Sequence, residues 1–128
     1  MSRYRKNVGD YGEQLALQFL QKRGYIIIDR NFSSKYGEID ILALHSEEPE
    51  TICCVEVKTR LSSVFGEPEE AVTRDKTKRL HDTACSYFFQ NRIEDKIFRL
   101  DILSIFIDQT AKKARIKHLK GISYNDFL

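Results

Sequence analysis

Two short apolar runs in this 128-residue chain carry charges where a strand would not ordinarily hold them: Gly37-Glu38-Ile39-Asp40-Ile41-Leu42-Ala43 and Cys53-Cys54-Val55-Glu56-Val57-Lys58-Thr59-Arg60. Side chains alternate across a strand. Glu38 and Asp40 are therefore expected on one face with Ile39 and Ile41 on the other, and Glu56 and Lys58 opposite Val55 and Val57. If the two strands are neighbours, Asp40 and Glu56 converge, and two carboxylates and an ammonium share one patch of a sheet whose reverse side is core. Carboxylate oxygens with no His or Cys close in sequence favour a hard cation, Mg²⁺ or Mn²⁺, over zinc. Such an ion polarises a phosphoryl oxygen, lowers the pKa of a bound water and neutralises charge that grows in the transition state, which is the chemistry of phosphodiester cleavage. The Lys58 ammonium would orient the nucleophile or stabilise the pentacovalent phosphate, a use that accounts for a charge kept on a strand at a desolvation cost. Glu-x-Lys alone reads as the solvent face of an edge strand. An Asp-bearing strand, a hairpin-length connection, Glu-x-Lys on the next strand and a preceding helix with a glutamate, in that order, favour a site.

The elements that must position these residues follow from periodicity. Over residues 7–22, Tyr11, Leu15, Ala16, Phe19 and Leu20 recur at helical steps, and Gly24 follows where a left-handed cap belongs. Residues 25–28 form a short apolar strand ended by Asp29-Arg30-Asn31, and residues 33–37 a turn. Strands over 38–44 and 52–58 should pair antiparallel through the acidic, proline-containing connection at 45–51. A loop over 60–72 precedes a helix capped by Thr73, with Leu80, Ala84, Tyr87 and Phe88 on one face, running to about Asn91. A strong strand at 97–107 and a weaker one at 114–119 complete the order α-β-β-β-α-β-β, and residues 121–128 carry no signal. This is an α/β fold with a mixed central sheet flanked by helices.

These residues resemble a family. Gly37-Glu38-Ile39-Asp40 followed by Val55-Glu56-Val57-Lys58-Thr59-Arg60 is similar to the PD-(D/E)xK nuclease superfamily, and within it to the YraN-like bacterial proteins. Gly9, Gly12, Glu13, Leu15 and Ala16 in the first helix extend the likeness, as do Phe65, Gly66, Ala71, Val72, Thr73, Lys76, Arg79, Leu80, Ala84, Arg99 and Asp101. The resemblance implies a restriction-endonuclease-like core and a metal held by Asp40, Glu56 and the backbone carbonyl of Val57, with Lys58 as the catalytic lysine. It also implies that Glu13 approaches from the first helix and joins the metal shell directly or through water. Ile39 stands where the superfamily's name has proline, a position that supplies no ligand. Arg74 stands where relatives often have proline after the threonine, which weakens helix initiation and leaves the chemistry alone.

Lys76 shares a helical row with Leu80 and Ala84, so it either snorkels from the core or contacts a phosphate. Arg60, Lys76 and Arg79 are the expected nucleic-acid contacts; Arg74, Lys78, Lys112, Lys113, Arg115, Lys117 and Lys120 are further candidates, mostly ordinary surface charge. Arg99 and Asp101 read as a cross-strand ion pair. His45, His81 and His118 have no partner at ligand spacing and receive no role. Residues 35–73 carry a net charge of −6 and residues 74–120 one of +6, within a total of +2, a contrast suited to holding a cation and touching a polyanion.

Length fits a single domain over 1–128, and with no long apolar run or signal-peptide pattern the expectation is a cytoplasmic chain away from membranes. Cys53, Cys54 and Cys85 match neither a disulfide framework nor a zinc pattern and are expected free and buried. No GxSxG elbow or GxxxxGK[ST] loop occurs, which argues against a serine hydrolase and a P-loop NTPase. The expectation is a Mg²⁺- or Mn²⁺-dependent endonuclease acting on DNA rather than RNA, on branched or damaged substrates in repair or recombination. A homodimer would place two sites on two strands. The alternative is a non-catalytic module that keeps the fold and binds nucleic acid or recruits a partner.

Overall fold

The computed structural model describes residues 3–61 and 72–123, with side chains from Lys6 onward. Phe65, Gly66, Ala71 and most of the expected loop at 60–72 lie outside the described residues. The elements run α1 (Arg3–Lys22), β1 (Tyr25–Ser34), β2 (Gly37–His45), β3 (Glu48–Arg60), α2 (Arg74–Gln90), β4 (Ile97–Asp108) and β5 (Lys113–Leu119). They form one five-stranded sheet in the order β1-β2-β3-β4-β5, antiparallel except for the parallel β3–β4 pair that α2 connects. This is the expected α-β-β-β-α-β-β order.

A helix packs on each face. Ala16, Leu17 and Leu20 of α1 lie on Ile41, Ala43, Cys53, Val55, Leu103 and Ile105, whereas Leu80, Ala84 and Tyr87 of α2 lie on Ile39, Leu42, Ile52, Cys54 and Leu100. Each fully buried large aliphatic side chain contributes about 1.5–3 kcal/mol relative to exposure. Alternation along β3 sends odd residues to α1 and even residues to α2, so Glu56, Lys58 and Arg60 stand on the α2 face.

Three expectations from periodicity fail. Tyr11, placed on the core face, is 53% exposed, and the contact belongs to its neighbour Gly12. A Cβ at Gly12 would lie 2.8 Å from Thr59 Cβ and closer still to its hydroxyl, so only glycine lets α1 approach β3 this closely. The first strand does not stop at Ile28. It passes a bulge between Ile27 and Asp29 and an Asn31 at φ 54°, then continues to Ser34. Finally, Ile39 and Ile41 do not share a face: Ile39 packs under α2 and Ile41 under α1.

α2 begins as expected, with Thr73 Oγ1 accepting the Lys76 N–H at 3.2 Å. Cys53 and Cys54 are buried and Cys85 is exposed, so all three are free thiols but not all buried. Burial pushes the Cys53 thiol up to about 11, which leaves it inert at neutral pH. No helix among the described residues is long and apolar enough to cross a membrane.

Candidate active site at the parting of β2 and β3

The break in alternation falls on Asp40. The β2–β3 ladder runs from His45↔Glu48 to Ile41↔Val55 and is not continued at Asp40, while β2 stays paired with β1 from Ile39 to Gly37. Opposite Asp40 on β1 stands the left-handed Asn31, between the paired Arg30 and Phe32. The β1–β2 hairpin thus bends away from β3 toward α2, where Phe32 meets Tyr87 edge-on at 5.0 Å. The register break opens a gap beside β3.

Asp40 fills the gap with its side chain. Its Oδ2 accepts the Val57 backbone N–H at 2.7 Å, replacing the ladder bond that β2 no longer supplies. The carboxylate therefore lies along the Glu56–Val57 peptide, between the residues that carry the Glu56 and Lys58 side chains. In an extended residue the N–H and C=O leave the same edge of the strand, so the Val57 carbonyl also points into this gap. Lys58 Nζ is 3.2 Å from Glu56 Oε1, and both side chains are about one-third exposed or less.

Acid accumulates here. Desolvation by burial raises the Asp40 carboxyl to about 6, opposed by the Val57 hydrogen bond and reinforced by the charges of Glu56, Glu13 and Glu38. Gly12 seats α1 against Thr59, and the charge of the next residue, Glu13, is felt at Asp40. Its Oε1 is held at 3.1 Å by Arg30 of β1. Sequence reasoning missed Arg30 and left Glu38 outside the site, although Glu38 precedes Asp40 by two residues.

Lys76 and Arg79, from the first turns of α2, line a small pocket of about 120 Å³ with Gly37, Glu38, Glu56 and Leu80. Lys76 is exposed at the end of its helical row, beyond the part of α2 that packs on the sheet. Arg60, the last residue of β3, is half-buried two residues beyond Lys58 on the same face. The structure thus joins Asp40 to the Val57 N–H and Lys58 to Glu56, with the charges of Glu56, Glu13 and Glu38 felt at Asp40 and with Lys76 and Arg79 beside Glu56 on the α2 side.

Among the described residues no three His, Cys, Asp or Glu side chains form a ready metal cage. The donor set instead fits a cation of the Mg²⁺ type, which takes one or two carboxylates and keeps several waters. Excess negative charge about Asp40 is the observation that favours such an ion.

Arg99 and Asp101 are not a cross-strand pair. They lie two residues apart on β4, and the fully buried Asp101 carboxylate accepts Arg99 Nε at 2.9 Å, Arg99 Nη2 at 2.8 Å and the Gly121 N–H at 3.0 Å. His118 Nε2, given no role from sequence, stands 2.8 Å from the same carboxylate, and Arg99 also donates to the Tyr25 hydroxyl at 3.0 Å. Burial would push Asp101 up, but the His118, Arg99 and Gly121 bonds outweigh it and hold the carboxyl below its usual range. This is a structural network. His45 likewise ties strand to turn, with Nε2 2.8 Å from the Arg23 carbonyl while Nδ1 accepts the Glu47 N–H.

Helix, three-stranded antiparallel meander, crossover helix and a parallel fourth strand define an α/β domain of the restriction-endonuclease-like class, with its charged residues at the β2–β3 parting. The profile of a family described as "Uncharacterised protein family UPF0102" matches residues 12–105. A UPF0102 protein of Clostridium perfringens strain 13 is 38% identical over 120 residues, covering 94% of this chain and 96% of its own length. One from Clostridium botulinum strain Hall is 36% identical over 117 residues, covering 91% and 93%. The chain belongs to the UPF0102 family, the YraN-like proteins that its motifs resemble.

Proposed function

We propose that this chain is a divalent-metal-dependent endonuclease that hydrolyses DNA phosphodiester bonds. One observation carries the reading: the Asp40 carboxylate is fastened to the Glu56–Val57 peptide where β2 leaves β3, which sets it beside Glu56 and Lys58. Asp40, Glu56 and the Val57 carbonyl would hold Mg²⁺ or Mn²⁺, with Glu13 contributing through water. When bound, the ion supplies Lewis-acid polarisation of the phosphate and a more acidic water. Lys58 holds its ammonium beside Glu56, where it orients the attacking water and offsets charge on the phosphate. Lys76 and Arg79 neutralise a flanking phosphate. DNA with branches or flaps, as met in repair and recombination, is the substrate this reading favours, by analogy with the superfamily that the motifs resemble.

The Arg30–Glu13 ion pair and the absence of a three-acid cage among the described residues favour a second reading, a module that binds nucleic acid without cutting it. A panel of linear, flapped and four-way DNA, incubated with Mn²⁺ or with chelator, separates the two. Cation-dependent product absent from Asp40→Ala, Glu56→Ala and Lys58→Ala supports the nuclease. Binding with no product on any substrate supports the module.

A further inference from the structure

The register of β3, β4 and β5 lays out a second charged surface on the α2 face, adjoining the site. Lys58 pairs with Ser104 and Ser104 with Lys117; Arg60 pairs with Phe106 and Phe106 with Arg115; Asp108 pairs with Lys113. Residues opposite one another in register share a face. Lys58, Arg60, Lys117, Arg115 and Lys113 therefore project from the same side as Glu56, over a floor of Ser104 and Phe106. The described core of α2 packs on the rows through Leu100, Cys54 and Ile52, so these cationic rows lie beyond the helix. Lys113, Arg115 and Lys117 are exposed.

Spacing follows from sheet geometry. Lys58 and Lys117 are two strand separations apart, about 10 Å, and Lys113 to Lys117 spans about 13 Å along β5. The Arg115 guanidinium lies 4.9 Å from the centre of the Phe106 ring, a cation–π contact that holds it over the sheet. Acid also stands at this face: Glu56 pairs with Lys58 at 3.2 Å, and Asp108, opposite Lys113, also accepts the Thr110 and Ala111 N–H groups.

The geometry points to this β3–β5 face as a track for the phosphate backbone of a nucleic acid strand, running from Lys58 across the sheet to Lys117, Arg115 and Lys113. Cations at regular intervals, floored by a small hydroxyl and a ring, suit repeated phosphates and supply no pattern for reading bases. The track deepens the nuclease reading by giving the strand a path away from Glu56 and Lys58. Binding along it does not require cleavage.

The test uses a fluorescein-labelled DNA duplex and anisotropy in EDTA, so that cleavage plays no part. The variant Lys113→Gln/Arg115→Gln/Lys117→Gln is compared with wild type and with Lys22→Gln/Lys35→Gln/Lys96→Gln, which removes equal charge elsewhere; circular dichroism checks that each is folded. We expect the β5 variant to bind at least tenfold more weakly at low salt. Its slope of log K against log salt should flatten by about 2 to 3, three phosphate contacts' worth. The control set should stay near wild type. Absence of wild-type binding, equal loss in both sets, an unchanged slope, or tighter binding of poly-glutamate than of DNA would overturn the track. If the β5 variant loses binding while wild type cuts no DNA, the track stands and the nuclease reading falls.

Discussion

Asp40 and Val57 are joined across a strand boundary by a 2.7 Å bond from backbone N–H to carboxylate, at the first position where β2 and β3 no longer share a ladder. The side chain does two jobs with one geometry. It satisfies a main-chain donor that the parting strands would orphan, and it brings negative charge to the peptide between Glu56 and Lys58.

That placement costs stability. In the folded, metal-free protein Asp40 titrates near 6 and in the unfolded chain near its ordinary value of 3.8. Between these values the folded state binds more protons, so stability falls as pH rises from about 4 through 6, and above this range the full penalty remains. Asp40→Asn keeps an acceptor for the Val57 N–H and removes the charge. Urea unfolding at pH 8 in EDTA should find it more stable than wild type by about 1–3 kcal/mol, with the gain vanishing by pH 4. Equal stability at pH 8 would contradict the charge crowding.

On the proposed reading Lys58 serves water and phosphate and not the metal. Lys58→Ala, which also removes one cation of the β3–β5 track, should bind Mn²⁺ nearly as wild type and DNA only modestly more weakly, yet cleave bound DNA at least about 100-fold more slowly, the lower range for loss of a positioned proton-transfer or charge-stabilising group. Single-turnover cleavage beside a binding titration gives both numbers. Parallel loss of binding and rate would assign Lys58 to affinity alone.

Gly12 sets how near α1 comes to β3. Gly12→Ala drives a methyl into Thr59, a β-branched side chain with little rotamer freedom, and should destabilise by about 1–3 kcal/mol. Because Glu13 rides on the same turn, cleavage should fall by more than the unfolded fraction explains. Adding Thr59→Ala should recover part of both losses, as read by thermal melts and cleavage rates on the same samples.

Asp101 is a matter of folding. Asp101→Asn leaves Arg99 with a weakened partner in a buried network and should cost about 3 kcal/mol in denaturant midpoints extrapolated to water. Because its folded carboxyl lies below the ordinary range, the stabilisation is present above about pH 4 and is lost as pH falls through the folded value. Folded variant protein should still cleave DNA at the wild-type rate per folded molecule.

Much of this architecture is legible in the residues. The helical steps of Leu15, Ala16 and Leu20, the Thr73 cap and the β-branched runs around Asp40 and Glu56 depend on local spacing, and each gave an element of the right kind. What failed has a common cause in tertiary geometry. Strict alternation put Ile39 and Ile41 together, but the divergence of β2 from β3 inserts a change of face at Asp40. Apolarity put Tyr11 in the core, whereas close packing selected Gly12, whose value lies in the atoms it lacks. Strand β1 read as ending at Asp29 because the bulge and the left-handed Asn31 make its later half polar. His118 had no visible partner because Asp101 lies on a different strand, and only the β4–β5 register brings the two together.

Titration of Mn²⁺ into metal-free protein by calorimetry, at neutral pH and without nucleic acid, tests the central claim most directly. The account predicts one ion per chain for wild type and for Lys58→Ala, with the heat abolished in Asp40→Ala and in Glu56→Ala. Indistinguishable isotherms for wild type, Asp40→Ala and Glu56→Ala would contradict it.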